Sequence, residues 1–180
     1  GIALLARVHS ARHSKDVDLL ASLDDIDAAL DALRDACALD LGDHFRFVLD
    51  TPAPGTTALQ PAIDGCRVYV DAYLGPTAVE RFHVDVVTGS LMPQEPDVQA
   101  PGVIDLPGLP PPAYRLYPVV DHVADKVCAT EMLYGTEKKP SSRVRDLVDL
   151  VVLARSHDID GDALGEAIAA ERVHRGLPAR

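Results

Sequence analysis

Aromatic side chains make up only 4% of the 180 residues, and no run approaches the roughly 20 consecutive apolar residues of a membrane-spanning helix. That excludes a helical membrane span, and with no secretory leader visible a cytoplasmic protein is expected. Cysteine is sparse too. Cys37, Cys66 and Cys128 are odd in number and far apart, with no C-x-x-C pair, which excludes a disulfide framework and predicts reduced thiols among apolar neighbours. The seven histidines show no H-x-E pattern and no cysteine at ligand spacing, so zinc is not expected. Lysine is rare, 4 residues against 13 arginines, so each lysine position is informative. A net charge of −11 argues against a surface built to bind nucleic acid indiscriminately, while leaving room for a local basic groove.

A hydrophobic content of 47% over 180 residues is enough for a buried core, in one domain or one domain with a small helical appendage. The expected division is a core over residues 1–117 and a helical C-terminal region over 118–180. Within the core, Ser14-Lys15-Asp16-Val17-Asp18-Leu19-Leu20 suits a strand whose side chains alternate between faces, so Asp16 and Asp18 share one face. Two unpaired carboxylates so close repel each other. A hard cation such as Mg²⁺ between them relieves that repulsion, and a solvated strand end is the alternative.

Gly1 to Val8 reads as a short helix. Ser22 is a plausible N-cap for an amphipathic helix over 23–38, with Ile26, Leu30, Leu33 and Cys37 on one face. His44 to Asp50 alternates as a strand, with Phe45, Phe47 and Leu49 on its apolar side. Residues 51–65 read as a loop. Cys66 to Leu74 and Glu80 to Thr88 are strands joined through Gly75-Pro76. In the second, His83 and Asp85 share the polar face, and antiparallel neighbours would bring Asp85 beside Asp16 and Asp18 as a third carboxylate; Asp71 has a similar context. Ser90 to Pro118 is proline-rich and extended. Beyond it helices are expected from Val119, over 143–156 with Val144, Leu147, Val148 and Val151 inward, and over about 162–174. Read alone, Lys126 is a surface ammonium paired with Asp125 or His122, and Asp146 and Asp149 form a helix face salt-bridged to Arg143 or Arg145.

The ordered set G-x-A-L-L, R-x-S-x-D-V-D, F-H-V-D-V-V-T-G, Y-P-V-V-D-H-V-A-D-K-V-C-A and R-V-R-D-L-V-D-L resembles the AbiEii-type nucleotidyltransferase toxins of the DNA polymerase beta-like superfamily. The likeness runs from about Gly1 to Ser156. It implies an α+β fold, with a small mixed or antiparallel sheet, flanking helices and a C-terminal helical region. It also implies Asp16, Asp18 and Asp85 as ligands of Mg²⁺ or Mn²⁺, with NTP as substrate, in a transfer run by positioning and electrostatics. Gly1 matches a family glycine in the turn that approaches the triphosphate, where only one of the usual two glycines is present, and Ser10 or Ser14 could donate to a phosphate. Lys126 matches a helical lysine that places a cation against the triphosphate, and Asp146 and Asp149 match an R-D-x-x-D pair.

The function so implied is NMP transfer to the 3′ end of tRNA, blocking translation, with a cognate antitoxin as partner. Arg7, Arg12, Lys15, Lys138, Lys139, Arg143 and Arg145 are the candidate cations for the acceptor. A protein or small-molecule hydroxyl is an alternative acceptor, and a non-catalytic binding module of the same fold is an alternative of another class.

Overall fold

Alternating apolar residues resolve into one four-stranded sheet in the computed structural model, which describes residues 2–8, 11, 14, 16–22, 25–50, 65–89, 91–99, 113–135, 137–140 and 144–178. Its strands are β1 (Asp16–Leu20), β2 (Phe45–Asp50), β3 (Gly65–Leu74) and β4 (Thr77–Val87), in the order β1-β4-β3-β2. Strands β3 and β4 form a hairpin through Gly75, whose φ of +56° suits a residue without a Cβ. Strand β2 adds antiparallel to β3, while β1 lies parallel to β4. The antiparallel neighbours expected around Asp85 are thereby corrected on one side. A parallel pair needs a long crossover, and helix α2 (Ile26–Cys37) with β2 and β3 supplies it. Among the described residues the architecture is a small α+β fold of mixed sheet and five helices.

The chain divides into two compact units, Gly1–Ile2 with His13–Ser90, and Ala3–Arg12 with Leu91–Arg180. The helical region expected from residue 118 falls within the second. In the first unit, Val68, Val70, Val84 and Val86 form one sheet face against Ala29 of α2, joined by Val17, Phe47, Leu49, Ile26, Leu30 and Leu33. Phe45, expected beside Phe47 on the apolar side, is partly exposed and stacks on it at 6.1 Å. The N-cap of α2 is Asp25, which accepts the amide of Asp27, rather than Ser22. Because strand side chains alternate, the sheet face away from this core carries Asp18, His83, Asp85 and Arg67.

In the second unit, α3 (Val119–Glu131) is packed by α4 (Val144–Ser156) and α5 (Gly161–His174), with α1 (Ile2–Arg7) completing the core through Leu4. Asp160 caps α5 by accepting the amide of Ala163. At its far end Gly176, at φ +64°, turns the chain so that the amides of Gly176 and Leu177 reach the carbonyls of Val173 and Arg172. Two ribbons, β5 (Asp97–Gln99) with β6 (Tyr114–Leu116) and β7 (Leu133–Tyr134) with β8 (Lys139–Pro140), were not expected; strands of two or three residues carry no readable alternation.

Helix α4 corrects the sequence expectation most sharply. Val144, Leu147, Val148 and Val151 are exposed, by 51–68%, whereas Asp146, Asp149 and Leu153 are buried. Both stripes have helical spacing, and the one with two carboxylates is inside. Leu153→Ala should therefore lower unfolding free energy by about 3 kcal/mol in urea titrations, whereas Val148→Ser should change it by about 0.5 kcal/mol or less. Equal losses would mean that the α4 faces are reversed.

Candidate active site

Strand pairing builds the carboxylate site from backbone register. Asp18 on β1 is the partner of Asp85 on β4, and Asp16 takes the place opposite His83. Asp71, the other candidate for third carboxylate, lies one strand further on β3, where it accepts from Arg81 at 3.1 Å. His83 keeps an edge-on contact with the Tyr69 ring at 6.3 Å. Ser14 is half-buried just ahead of β1; Gly1 and Ser10, expected at the phosphate turn, lie outside the described residues.

The Asp85 carboxylate is bound by Arg67, its register partner on β3. Nε donates to one oxygen and Nη2 to the other, both at 2.7 Å. This is the bidentate fork-to-carboxylate geometry that makes an arginine pair directional. Three neighbouring strands thus carry Asp18, Asp85 and Arg67 in one row. No three His, Cys, Asp or Glu side chains among the described residues form a ready metal cage. Yet the donor set fits a hard cation in type: Asp18 and Asp85 offer oxygens only, on adjacent strands.

A second cluster lies within the second unit. Lys126 of α3 is buried, and its ammonium donates to Asp146 Oδ1 at 2.7 Å and Asp149 Oδ2 at 2.9 Å, both on α4. This corrects the reading of Lys126 taken alone: it is not a surface ammonium, and it pairs with Asp146 and Asp149, while Asp125 is bound by Arg175. The Asp149 side chain is 1% exposed. One turn before Lys126, His122 is buried edge-on to Tyr117, and burial together with the cations of Lys126 and Arg7 pushes its pKa down to about 3. Among the described residues its Nδ1 has no hydrogen-bond partner. The adjacent Asp121 accepts from the Gln94 amide at 3.1 Å, and burial raises its pKa.

The candidate basic set is thinner than the sequence suggests. Arg7 is buried and donates to Asp97 at 2.6 Å and to the Tyr117 carbonyl at 2.7 Å, so it braces the second unit. Lys139 pairs with Glu137 at 2.5 Å, while Lys138 and Arg145 are exposed. Arg12, Lys15 and Arg143 lie outside the described residues. A hollow of about 370 Å³ in the second unit, walled by Gln94, Glu95, Pro118, Val119, His157 and Ile159, contains none of the expected site residues. Arg67 was the residue missed; its cross-strand place opposite Asp85 is a matter of register, which residue types alone do not announce.

A mixed sheet covered by a helix on one face and carrying carboxylates on the other is the build of a small nucleotidyltransferase-like α+β protein. The family model described as nucleotidyl transferase AbiEii toxin, type IV toxin–antitoxin system, matches residues 1–180. The chain belongs to that family, and nucleotidyl transfer is the activity of its class. Comparison with curated proteins gives no match. No helix among the described residues is long and apolar enough to cross a membrane.

Lys126→Met should destabilise the protein by about 3 kcal/mol or more in denaturant titration, because it strips two buried carboxylates of their ammonium; adding Asp149→Asn should recover part of the loss. A loss near zero would show the cluster to be solvated. His122 adds a pH dependence. Folding keeps it neutral, so the unfolded chain binds the extra proton, and the contribution is whole above about pH 6.5 and shrinks as pH falls toward 3. Asp121, whose pKa burial raises, acts in the opposite sense, so the His122 share is read as the difference between wild type and variant over the range from about pH 6.5 downward. Across it, His122→Phe should flatten the fall of melting temperature; an unchanged slope would assign that fall to other groups.

Proposed function

We propose that this protein transfers an NMP from an NTP to the 3′ end of tRNA and so blocks translation, as the toxin of a pair with a cognate antitoxin. The observation that carries the proposal is the side-by-side register of Asp18 and Asp85 in a chain of the nucleotidyl transferase family. Asp16, Asp18 and Asp85 would hold two Mg²⁺ or Mn²⁺ ions. Such ions, when bound, neutralise the phosphate oxygens and lower the pKa of the attacking hydroxyl. The protein's share is largely placement, since phosphoryl transfer leaves little covalent work to side chains.

Gly1 is assigned to the close approach of the triphosphate, and Ser10 or Ser14 to a phosphate oxygen. Lys126 is the cation assigned to the triphosphate, with Asp146 and Asp149 setting its direction; two of its three ammonium protons are already committed to them. Free thiols fit a reducing compartment, and we assign the protein to the cytoplasm. A second reading changes the acceptor to a protein or small-molecule hydroxyl. It is favoured by the acidic net charge and by the engagement of Arg7 and Lys139 in ion pairs.

Incubation with α-labelled NTPs, Mg²⁺ and total tRNA should label the RNA. Chelation by EDTA should abolish labelling, and Asp18→Asn should reduce it by at least about a hundredfold. Labelling that survives Asp18→Asn would sink the carboxylate assignment, and label found only on protein would move the acceptor to the second reading. Sequencing the RNA 3′ ends identifies the added base and the acceptor together.

A further inference from the structure

Arg67 occupies both oxygens of the carboxylate that the proposed reading gives to a divalent cation. We infer that Arg67 is a built-in stand-in for that cation: its guanidinium neutralises Asp85 when no metal is bound and competes with metal for the same oxygens. The inference rests on the metal-site reading of Asp18 and Asp85, and goes beyond it in naming the residue that sets how tightly the site closes on a cation.

The argument is one of charge and geometry. Asp18 and Asp85 are register neighbours, so the row of Asp18, Asp85 and Arg67 sets two carboxylates against one guanidinium. Without that guanidinium the two carboxylates would repel across the strands. Both contacts run at 2.7 Å, through Nε and Nη2, one to each Asp85 oxygen. A cation that takes either oxygen therefore shares it with an arm of the fork or displaces that arm, and in both cases the two positive charges oppose each other at Asp85. The exchange is open to the arginine, whose side chain is 41% exposed, while the Asp85 side chain, 14% exposed, needs a cation in its place. A half-exposed arginine can turn outward on its flexible stem, where its five donors suit phosphate oxygens. A lysine would not serve equally, since a point charge holds one oxygen and lacks the fork.

Manganese binding by the apo protein tests this without any turnover. Mn²⁺ alone, titrated by calorimetry and by the loss of its free-ion magnetic resonance signal, should bind Arg67→Gln about tenfold more tightly than wild type, with Arg67→Lys between them. In metal-free buffer Arg67→Gln should melt below wild type, and added Mn²⁺ should raise its melting temperature more than that of wild type. A purely structural Arg67 would lower the melting temperature without tightening Mn²⁺ binding, and that result overturns the inference. Asp85→Asn separates the two readings. If it abolishes Mn²⁺ binding while Arg67→Gln binds no tighter than wild type, the metal site stands and the stand-in role fails. If neither wild type nor Arg67→Gln binds Mn²⁺, both fail.

Discussion

The second unit depends on one buried ionic contact, the ammonium of Lys126 held between Asp146 and Asp149. An isolated charge taken from water into a protein interior costs several kcal/mol, and pairing with the others offsets that cost for each of these groups. The contact decides which side of α4 faces α3. A helix with Val144, Leu147, Val148 and Val151 on one stripe would ordinarily bury them, and here the stripe that carries the aspartates is buried with Leu153 instead. Apolar residues tolerate exposure better than two carboxylates tolerate separation from their counter-ion. The orientation of a whole helix thus follows from three polar side chains.

The first unit answers close carboxylates differently. Its solution is an arginine on the next strand, itself 41% exposed, over an Asp85 side chain that is 14% exposed. The two clusters differ in a way that suits different tasks. Buried Lys126 is locked between two carboxylates on another helix, whereas Arg67 grips Asp85 from a flexible, partly exposed stem. A locked cation presents a fixed field, and a half-exposed one can be exchanged for another cation.

Much of this was legible before any coordinates. The strand periods of β1, β3 and β4, the amphipathic period of α2 and the helical pattern after Val119 all match observed elements, because local burial patterns follow side-chain alternation and turn spacing. The order of the motifs pointed to the family that the matched model identifies. The parallel sense of β1 against β4 was not legible, because an alternating strand reads the same in either direction. Nor was the partner of Lys126. Asp125 and His122 are its neighbours in sequence, and the partners that hold it lie 20 and 23 residues away.

Residue type and spacing by themselves determined the chemistry on offer: oxygen donors at Asp16 and Asp18, rare lysines at telling positions and no disulfide framework. They also placed strand and helix segments along the chain, since periods of two and of about 3.6 residues are local properties, whereas the α+β class is what the family resemblance implied. Only the tertiary structure decided which charges meet. Asp85 stands beside Asp18 and under Arg67 because three strands pair in one register, and a slip of one residue would send those side chains to the other face. Lys126 is buried because α4 turns its aspartates toward α3. Pairing across strands and helices joins residues distant in sequence, and Coulombic and hydrogen-bond energies depend on that distance in space alone.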